Sequence, residues 1–210
     1  MENIITQDGS STFFNEEVKD YYHSKSGAAT EAREKYIKAL KITPNKVIFD
    51  ICFGMGYNTA AALEKGPATI HCFENDKEIL HKILHLNTPF QNYTLIKEFI
   101  KSFLKGNSTF IKDNIILIMY FGDVRLKIKD LRQKADYVFF DAFSPSKQPE
   151  LWTEQFFKDI KRKMNGDAKL ATYSCAKWVR KNMQNAGFII KDGPIVGTYG
   201  PGTIAVIKKS

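Results

Sequence analysis

Cysteine is scarce in this sequence, and long apolar segments are absent from it. Only three of the 210 residues are cysteine, and none forms a pair spaced by two residues. This usage indicates a reduced, cytoplasmic protein rather than one held by disulfides. The longest apolar run, Ile115 to Phe121, is far shorter than the roughly 20 residues that span a bilayer. With Glu2 and Asp8 near the N-terminus, we expect no export signal and no membrane partner.

Acidic residues are under-represented in the second half of the chain. The net charge is +8, and all of that excess lies beyond residue 105. Such asymmetry favours a polyanionic partner, although a solvated lysine-rich face would give the same count. The candidate nucleic-acid contacts are Lys147, Lys177, Arg180 and Lys181, and a further basic cluster comprises Lys158, Lys161, Arg162 and Lys163.

No internal repeat or long linker divides the chain, so we expect a single domain over residues 1–210. Within it, residues 1–45 are predicted to form a hairpin with an Asp8-Gly9 turn and a helix over 29–40, which cap the site. Residues 46–210 are predicted to form the core, in which strands and helices alternate.

That alternation predicts an α/β, Rossmann-like fold with a mainly parallel seven-stranded sheet and helices on both faces. The candidate strands are 46–50, 68–73, 114–121, 135–140, 168–173, 188–192 and 202–208. The candidate helices are 58–65, 76–86, 93–105, 124–132, 150–164 and 176–186.

A glycine turn follows the first core strand. The strand that begins at Val47 leads into Gly54-Met55-Gly56 and then a helix, and a second strand ends at Glu74, 20 residues beyond Gly54. This is the layout of a nucleoside-binding βαβ unit, in which the acid holds the ribose hydroxyls. Thr59 stands where a dinucleotide site has its third glycine, so the pattern favours S-adenosylmethionine over a nicotinamide or flavin cofactor.

Acids stand at the ends of several predicted strands, where ligands bind in such sheets. Asp50 and Glu74 follow the first two strands, and Asp123 follows the run 115–121, where it could accept from an adenine amino group. Each acid alone could equally cap a helix. Asp141 ends the fourth strand and is the candidate to orient an amine acceptor and take an N–H hydrogen bond.

The aromatic residues near Asp141 would favour the neutral amine. An alkyl amine has a pKa of about 10.4 and must lose a proton before it attacks a methyl group. Desolvation among Phe143, Tyr173 and Trp178 would lower that pKa.

Several longer motifs then carry a resemblance to a known family. They are TQDGSST at 6–12, YHSKSGAATEA at 22–32, FGMGYN at 53–58, DAFSPSKQPELW at 141–152 and TYS at 172–174. With these motifs the chain resembles the methyltransferase domain of the tRNA 5-methylaminomethyl-2-thiouridine biosynthesis bifunctional proteins and its stand-alone relatives.

This resemblance implies transfer of a methyl group from S-adenosyl-L-methionine to the primary amine of 5-aminomethyl-(2-thio)uridine, at wobble position 34 of the tRNA anticodon stem-loop. The segment from Tyr22 to Gly27 would close over the cofactor together with the hairpin. The implied cofactor-binding residues are Phe53, Gly54, Gly56, Asn58, Glu74, Asn75, Asp123 and Asp141. The resemblance implies that Asp141 meets the amine, and the catalytic candidates are therefore Asp141, the desolvating Phe143 and Tyr173, and His23, which lies within a family motif and could equally have a structural role.

The chain departs from the bifunctional proteins in two places. It ends at Ser210 without their flavin oxidase domain, so we expect a separate enzyme to supply the aminomethyl precursor. Where the family tends to carry a basic pair before the last strand, this chain has Gly200-Pro201-Gly202-Thr203.

Other functions stay open at this point. A polyamine aminopropyltransferase shares the sheet and the adenosyl ligand, but it normally pairs two acids around the acceptor loop, and the next acid after Asp141 is Glu150. A non-catalytic RNA- or cofactor-binding module is the third possibility. His81 and His85 have metal-ligand spacing without a third ligand, so we expect no metal site, and we expect Cys175 to be a packed thiol.

Overall fold

The computed structural model describes residues 2–196 and 200–207. A small antiparallel sheet opens the chain, and α1 (Ala28–Glu31) follows it and continues into a π-helical segment, Ala32–Lys38. The strands of the small sheet are β1 (Asn3–Ile5), β2 (Ser11–Asn15) and β3 (Asp20–Tyr21).

The core alternates strands and helices as predicted. Its strands are β4 (Val47–Ile51), β5 (Thr69–Glu74), β6 (Thr109–Lys112), β7 (Ile115–Phe121), β8 (Ala135–Phe140), β9 (Met164–Thr172), β10 (Phe188–Ile195) and β11 (Pro201–Ile207). Its helices are α2 (Tyr57–Leu63), α3 (Lys77–Ile83), α4 (Tyr93–Leu104), α5 (Val124–Lys127), α6 (Glu154–Arg162) and α7 (Lys177–Asn185), with 3-10 turns at Ile128–Asp130 and Pro149–Trp152.

The large sheet has the order β10-β11-β9-β8-β4-β5-β7-β6. The five strands from β9 to β7 run parallel, and β6, β10 and β11 pair antiparallel at the two edges. The chain moves from β4 to β5 on one side and later returns to β8 on the other. The carboxyl end of β4 is therefore a topological switch point, where open α/β sheets bind their ligands.

Two apolar layers cover the sheet because successive side chains of a strand point to opposite faces. Ile48 and Phe139 join the layer formed with α2, α3 and α4. Phe49 and Phe140 join the layer formed with α5, α6 and α7. α4 shows why these segments are helical: Tyr93, Ile96, Phe99 and Ile100 are buried along one face of it.

The α/β fold with its mainly parallel sheet is confirmed, but the predicted number of strands is wrong. The sheet has eight strands rather than seven, because Thr109–Lys112 pairs with β7 as an edge strand. This short segment of four residues, Thr-Phe-Ile-Lys, is mostly exposed and gave no buried-strand pattern. The last predicted strand, 202–208, ends at Ile207 in the structure, and Lys208 lies outside the described residues. Among the described residues, no helix combines the length and apolar character needed to cross a bilayer.

Candidate active site

Two cavities meet at the carboxyl edge of the sheet. The first is lined by Gly54, Glu74, Asn75 and Asp123 among others. The second lies between the N-terminal segment and the loop after β8. Four residues line both cavities, namely Tyr22, His23, Asp141 and Phe143. A group bound in one cavity can therefore approach a group bound in the other at these residues.

The glycine turn forms the floor of the first cavity. Gly54 and Gly56 have φ angles of 53° and 72°, which favour glycine. A Cβ atom on Gly54 would lie 3.3 Å from the ring of Tyr22, and one on Gly56 would lie 2.5 Å from the ring of Phe53. Gly54 lines the cavity, whereas Phe53 and Gly56 lie behind the lining and support the turn.

Glu74 connects the glycine turn to the loop after β5. Its Oε2 accepts from the Gly54 N–H at 2.7 Å, and its Oε1 accepts from the N–H groups of Asn75 and Asp76 at 2.7 and 2.8 Å. Burial raises the pKa of this carboxyl. The side chain thus fixes the turn and also lines the first cavity.

Asp50 belongs to the interior rather than to the cavity wall. It is fully buried in β4 and lines neither cavity. Thr59 donates to its Oδ2 at 2.7 Å, and its Oδ1 has no hydrogen-bond partner among the described residues. Burial raises the pKa of Asp50 to about 8. The prediction that Asp50 lies with the other acids at the ligand-binding edge of the sheet is therefore wrong, because at this position of β4 the side chain points into the core.

Asp123 both caps a helix and faces the first cavity. Its Oδ1 accepts from the Arg125 N–H at 2.9 Å, which caps α5, and its Oδ2 pairs with the Arg125 guanidinium at 2.7 Å. These contacts with Arg125 lower the pKa of Asp123.

Asp141 lies at the junction of the two cavities and is held from two sides. The Tyr36 hydroxyl donates to its Oδ1 at 2.6 Å, and the Asn58 amide donates to its Oδ2 at 2.8 Å. His23 Nδ1 lies 3.8 Å from Oδ2, and its ring stacks on Tyr57. The Asp141 side chain is 10% exposed. Asn58, which was predicted to bind cofactor, lines neither cavity and instead positions this carboxylate.

Sequence reasoning missed Tyr36. It is fully buried in the π-helical segment, and burial together with the neighbouring Asp141 charge raises its pKa well above the usual range, so it stays a hydrogen-bond donor. The segment was expected to be an ordinary helix, and no local signal predicts the wider turn. π-helical turns often occur at functional sites.

The loop after β8 is fixed by hydrogen bonds to its backbone. Tyr173 donates to the Ala142 carbonyl at 3.0 Å, and the Trp152 indole donates to the Phe143 carbonyl at 3.0 Å. Phe143 lines both cavities and Tyr173 lines the second. Trp178, which was expected beside them, is 46% exposed on α7 and lines neither cavity, so that part of the prediction is wrong.

The N-terminal sheet is attached to the edges of both cavities. Tyr22 donates to Asp76 beside the first cavity, and Asn15 donates to the same carboxylate at 3.2 Å. Beside the second cavity, the Ser144 N–H donates to Asp20 at 3.1 Å. Of residues 22–27, Tyr22 and His23 line both cavities and Ser24 lines the second, and the closure of this segment over a cofactor stays a prediction.

The predicted RNA-binding residues differ in their surroundings. Lys147, Lys177 and Lys181 are exposed. Arg180 instead binds the closing hairpin: its guanidinium donates to Thr203 Oγ1 at 2.9 Å and pairs with Asp192 at 2.7 Å. Three members of the further cluster are also engaged, because Lys158 pairs with Glu154, Arg162 with Asp159, and Lys163 donates to the carbonyls of Lys129 and Leu131.

The sequence and the fold of the chain are similar to those of known proteins. A family model described as S-adenosyl-L-methionine-dependent methyltransferase matches residues 90–208. An uncharacterized protein of Methanocaldococcus jannaschii is 36% identical over 199 residues, which cover 92% of this chain and 56% of the relative. The tRNA 5-methylaminomethyl-2-thiouridine biosynthesis bifunctional protein MnmC of Campylobacter hominis is 30% identical over 200 residues, which cover 86% of this chain and 29% of that protein. The chain thus spans about half, or less, of the length of these curated relatives.

Solved structures give a similar result. The crystal structure of MnmC2 from Aquifex aeolicus matches all of this chain and 71% of that chain, with a TM-score of 0.81 and 31% identity. Spermidine synthase from Thermotoga maritima matches 98% of this chain and 71% of that chain with a TM-score of 0.59 and 13% identity, a likeness of fold alone.

Proposed function

This chain belongs to the S-adenosyl-L-methionine-dependent methyltransferases, and from that premise we propose that it methylates the primary amine of 5-aminomethyl-(2-thio)uridine at the tRNA wobble position. S-adenosyl-L-methionine is the cofactor of the family, as the glycine turn predicted. The similarity to proteins named for tRNA 5-methylaminomethyl-2-thiouridine biosynthesis supports tRNA modification by methylation. That the methyl group goes to a primary amine is the more specific step that we propose.

The position of Asp141 carries the proposal. Its carboxylate lies where the two cavities meet, and Tyr36 and Asn58 each bind one of its oxygens. Each oxygen keeps a lone pair that can accept an N–H from an amine. Holding the amine in line with a methyl group supplies roughly 7–11 kcal/mol of the barrier in favourable cases.

The lining of the first cavity suits the cofactor. When bound, S-adenosyl-L-methionine supplies an electrophilic methyl group on its sulfonium. Glu74 would accept hydrogen bonds from the ribose hydroxyls, Asp123 from the adenine amino group, and Gly54 would let the ligand approach the backbone. Asn75 would complete that wall.

The second cavity would take the acceptor. Its aromatic side chains, Phe143 and Tyr173, remove water from around the amine, which favours the neutral form that attacks. Asp141 would accept one N–H and so orient the nitrogen lone pair. His23 lines both cavities and would contact the same amine.

A polyamine aminopropyltransferase stays the second candidate, because the lining of the second cavity would also attract a cation. Asp20, Glu31 and Asp141 line this cavity, and the one lysine of its described lining, Lys35, is paired with Glu31 at 2.7 Å. The 30% identity to the tRNA-modification protein of Campylobacter hominis, against 13% to spermidine synthase, favours the tRNA acceptor.

A methyl-transfer assay tests the proposal. The protein is incubated with S-adenosyl-L-methionine labelled at the methyl group and three acceptors: an anticodon stem-loop RNA with 5-aminomethyluridine, the unmodified RNA, and spermidine. We expect label only in the aminomethylated RNA, and transfer about a hundredfold or more slower when Asp141→Asn replaces the wild type. Label in spermidine would instead indicate a polyamine N-methyltransferase, and the absence of label in every acceptor would contradict methyl transfer to this amine. An aminopropyltransferase transfers the aminopropyl group and leaves the methyl group on the departing thioether, so it is tested separately with decarboxylated S-adenosylmethionine and putrescine.

A further inference from the structure

A buried ion pair lines the second cavity and has no part in the methyl transfer described above. Lys35 Nζ lies 2.7 Å from Glu31 Oε1, and the two side chains are only 10% and 13% exposed. The Ser24 N–H also approaches Glu31 Oε2, at 3.4 Å. Both side chains line the second cavity and neither lines the first. The pair therefore faces the acceptor rather than the cofactor.

The fold alone does not explain this pair. Removing two charges from water costs free energy that their attraction often fails to recover, and apolar residues of similar size usually serve stability as well. Glu34 and Lys38 lie on the same helical segment and also form a pair, but Lys38 is 65% exposed and keeps its hydration. A buried pair on a cavity wall is better explained by a ligand that offers a donor and an acceptor side by side.

Uracil offers that pattern along its Watson–Crick edge. Its N3–H is a donor, and the carbonyl oxygen beside it is an acceptor. An ionised carboxylate only accepts hydrogen bonds and an ammonium only donates them. Cytosine would turn a lone pair at N3 toward the carboxylate, so the pair would also reject cytidine.

The rest of the cavity wall suits a base removed from its stack. Tyr21, Tyr22, Phe143 and Tyr173 all line the second cavity. Enzymes that act on a single base commonly hold it between aromatic rings and identify it through its Watson–Crick edge. The aromatic walls and the ion pair therefore point to the same kind of ligand.

We propose that Glu31 and Lys35 recognise the acceptor uracil, with the Glu31 carboxylate accepting N3–H and the Lys35 ammonium donating to the adjacent carbonyl oxygen. This inference rests on the proposed function and makes it more specific. With that edge held by the helical segment, the 5-aminomethyl group extends toward Asp141. The pair determines specificity for the base and has no role in the chemistry at the amine.

The test uses two stem-loop RNAs, one with 5-aminomethyluridine and one with its N3-methyl derivative, and measures kcat/KM for methyl transfer. For the wild type, we expect the N3-methyl group to lower kcat/KM roughly ten- to hundredfold, the usual value of a base-specific contact pair. The double variant Glu31→Leu/Lys35→Met removes both charges together and leaves neither one buried alone. It should methylate the first RNA roughly ten- to hundredfold more slowly and no longer distinguish the two RNAs.

The matched control is Glu34→Leu/Lys38→Met, the same substitutions in the exposed pair of the same segment, which should behave as wild type. S-adenosyl-L-methionine affinity, measured by calorimetry, should be unchanged in both variants. A Glu31→Leu/Lys35→Met protein with wild-type kcat/KM and the full N3-methyl penalty would overturn the inference. Equal kcat/KM of the wild type for the two RNAs would also overturn it, and this measurement does not depend on whether a variant folds. A wild type that methylates neither RNA would overturn the proposed function, and the inference with it.

Discussion

Glu74→Gln should weaken S-adenosyl-L-methionine binding by roughly ten- to hundredfold in a protein that still folds. The glutamine carbonyl can keep the bonds from the N–H groups of Asn75 and Asp76, which both reach Oε1. The new amide, however, would face the Gly54 N–H that now donates to Oε2 at 2.7 Å, and two donors would then oppose each other. The ribose would also lose a charged acceptor.

The magnitude follows from the bonds involved. A hydrogen bond to a charged group contributes roughly 1.5–3 kcal/mol, and about 1.4 kcal/mol corresponds to a factor of ten in affinity. Loss of one such bond to the ligand therefore gives one to two powers of ten. Alanine at this position would remove all three backbone contacts and combine loss of binding with distortion of the turn, so glutamine is the sharper change.

The pH dependence gives a second measurement. Because burial raises the pKa of Glu74, its carboxylate takes up a proton at a higher pH than an ordinary glutamate. If the ionised form binds the ribose, wild-type affinity should fall as the pH falls through that raised pKa, and Glu74→Gln should lose this part of the dependence.

Calorimetric titration at pH 7.5 and pH 5 measures both effects, and thermal melting followed by circular dichroism checks the fold. Glu98→Gln is the control, because Glu98 pairs with Lys112 at the surface, away from both cavities. A folded Glu74→Gln protein with wild-type affinity at both pH values would refute the assignment of Glu74 to the ribose.

Three other changes test the remaining parts of the site. Asp141→Asn should bind S-adenosyl-L-methionine within a few-fold of wild type but transfer methyl groups about a hundredfold or more slowly in single-turnover assays; near-normal rates would contradict its role. Reversing Lys147, Lys177 and Lys181 to Glu should weaken tRNA binding and flatten its salt dependence by about 0.7–0.9 per lost phosphate contact, measured by filter binding, and an unchanged slope would place the RNA elsewhere. The pKa of Asp50 is about 8 in the native protein and near 3.9 in the unfolded chain. Between these two values only the native state holds a proton on this carboxyl, so the free energy of unfolding of the wild type falls as the pH rises. An asparagine cannot ionise, so the free energy of unfolding of Asp50→Asn, measured with urea, should rise relative to that of the wild type by up to a few kcal/mol from pH 5 to pH 9. A difference between the two proteins that does not change with pH would contradict titration of a buried Asp50.

The sequence predicted the parts of the site that depend on a strand end. Gly54, Glu74, Asp123 and Asp141 each follow a recognisable apolar run, and parallel strands bring their carboxyl ends to one edge. Local pattern and topology together were therefore enough to gather these residues around the first cavity. The same reasoning failed for Asp50, because side-chain alternation within the strand turns it into the core.

Residues delivered by tertiary packing could not be predicted in this way. Tyr36 reaches Asp141 across 105 positions of sequence, and Glu31 and Lys35 face the second cavity from the same helical segment. An apolar-spacing argument over 29–40 assumes an α-helical period, whereas a π-helical turn is wider and redirects its side chains. Arg180 was predicted to be a free surface charge because its partners, Asp192 on β10 and Thr203 on β11, are distant in sequence.

The N-terminal sheet is attached at both cavities, and this affects how bound ligands can leave. One short stretch of chain is bound at Asp76 beside the first cavity and at Ser144 beside the second cavity. If this stretch separates from one of the two cavities, we expect its contacts at the other cavity to weaken as well. If the first cavity binds S-adenosyl-L-methionine and the second the RNA acceptor, as proposed, departure of spent cofactor and release of methylated RNA would depend on one shared opening. We therefore expect the two exchanges to be kinetically linked even though the two cavities are distinct.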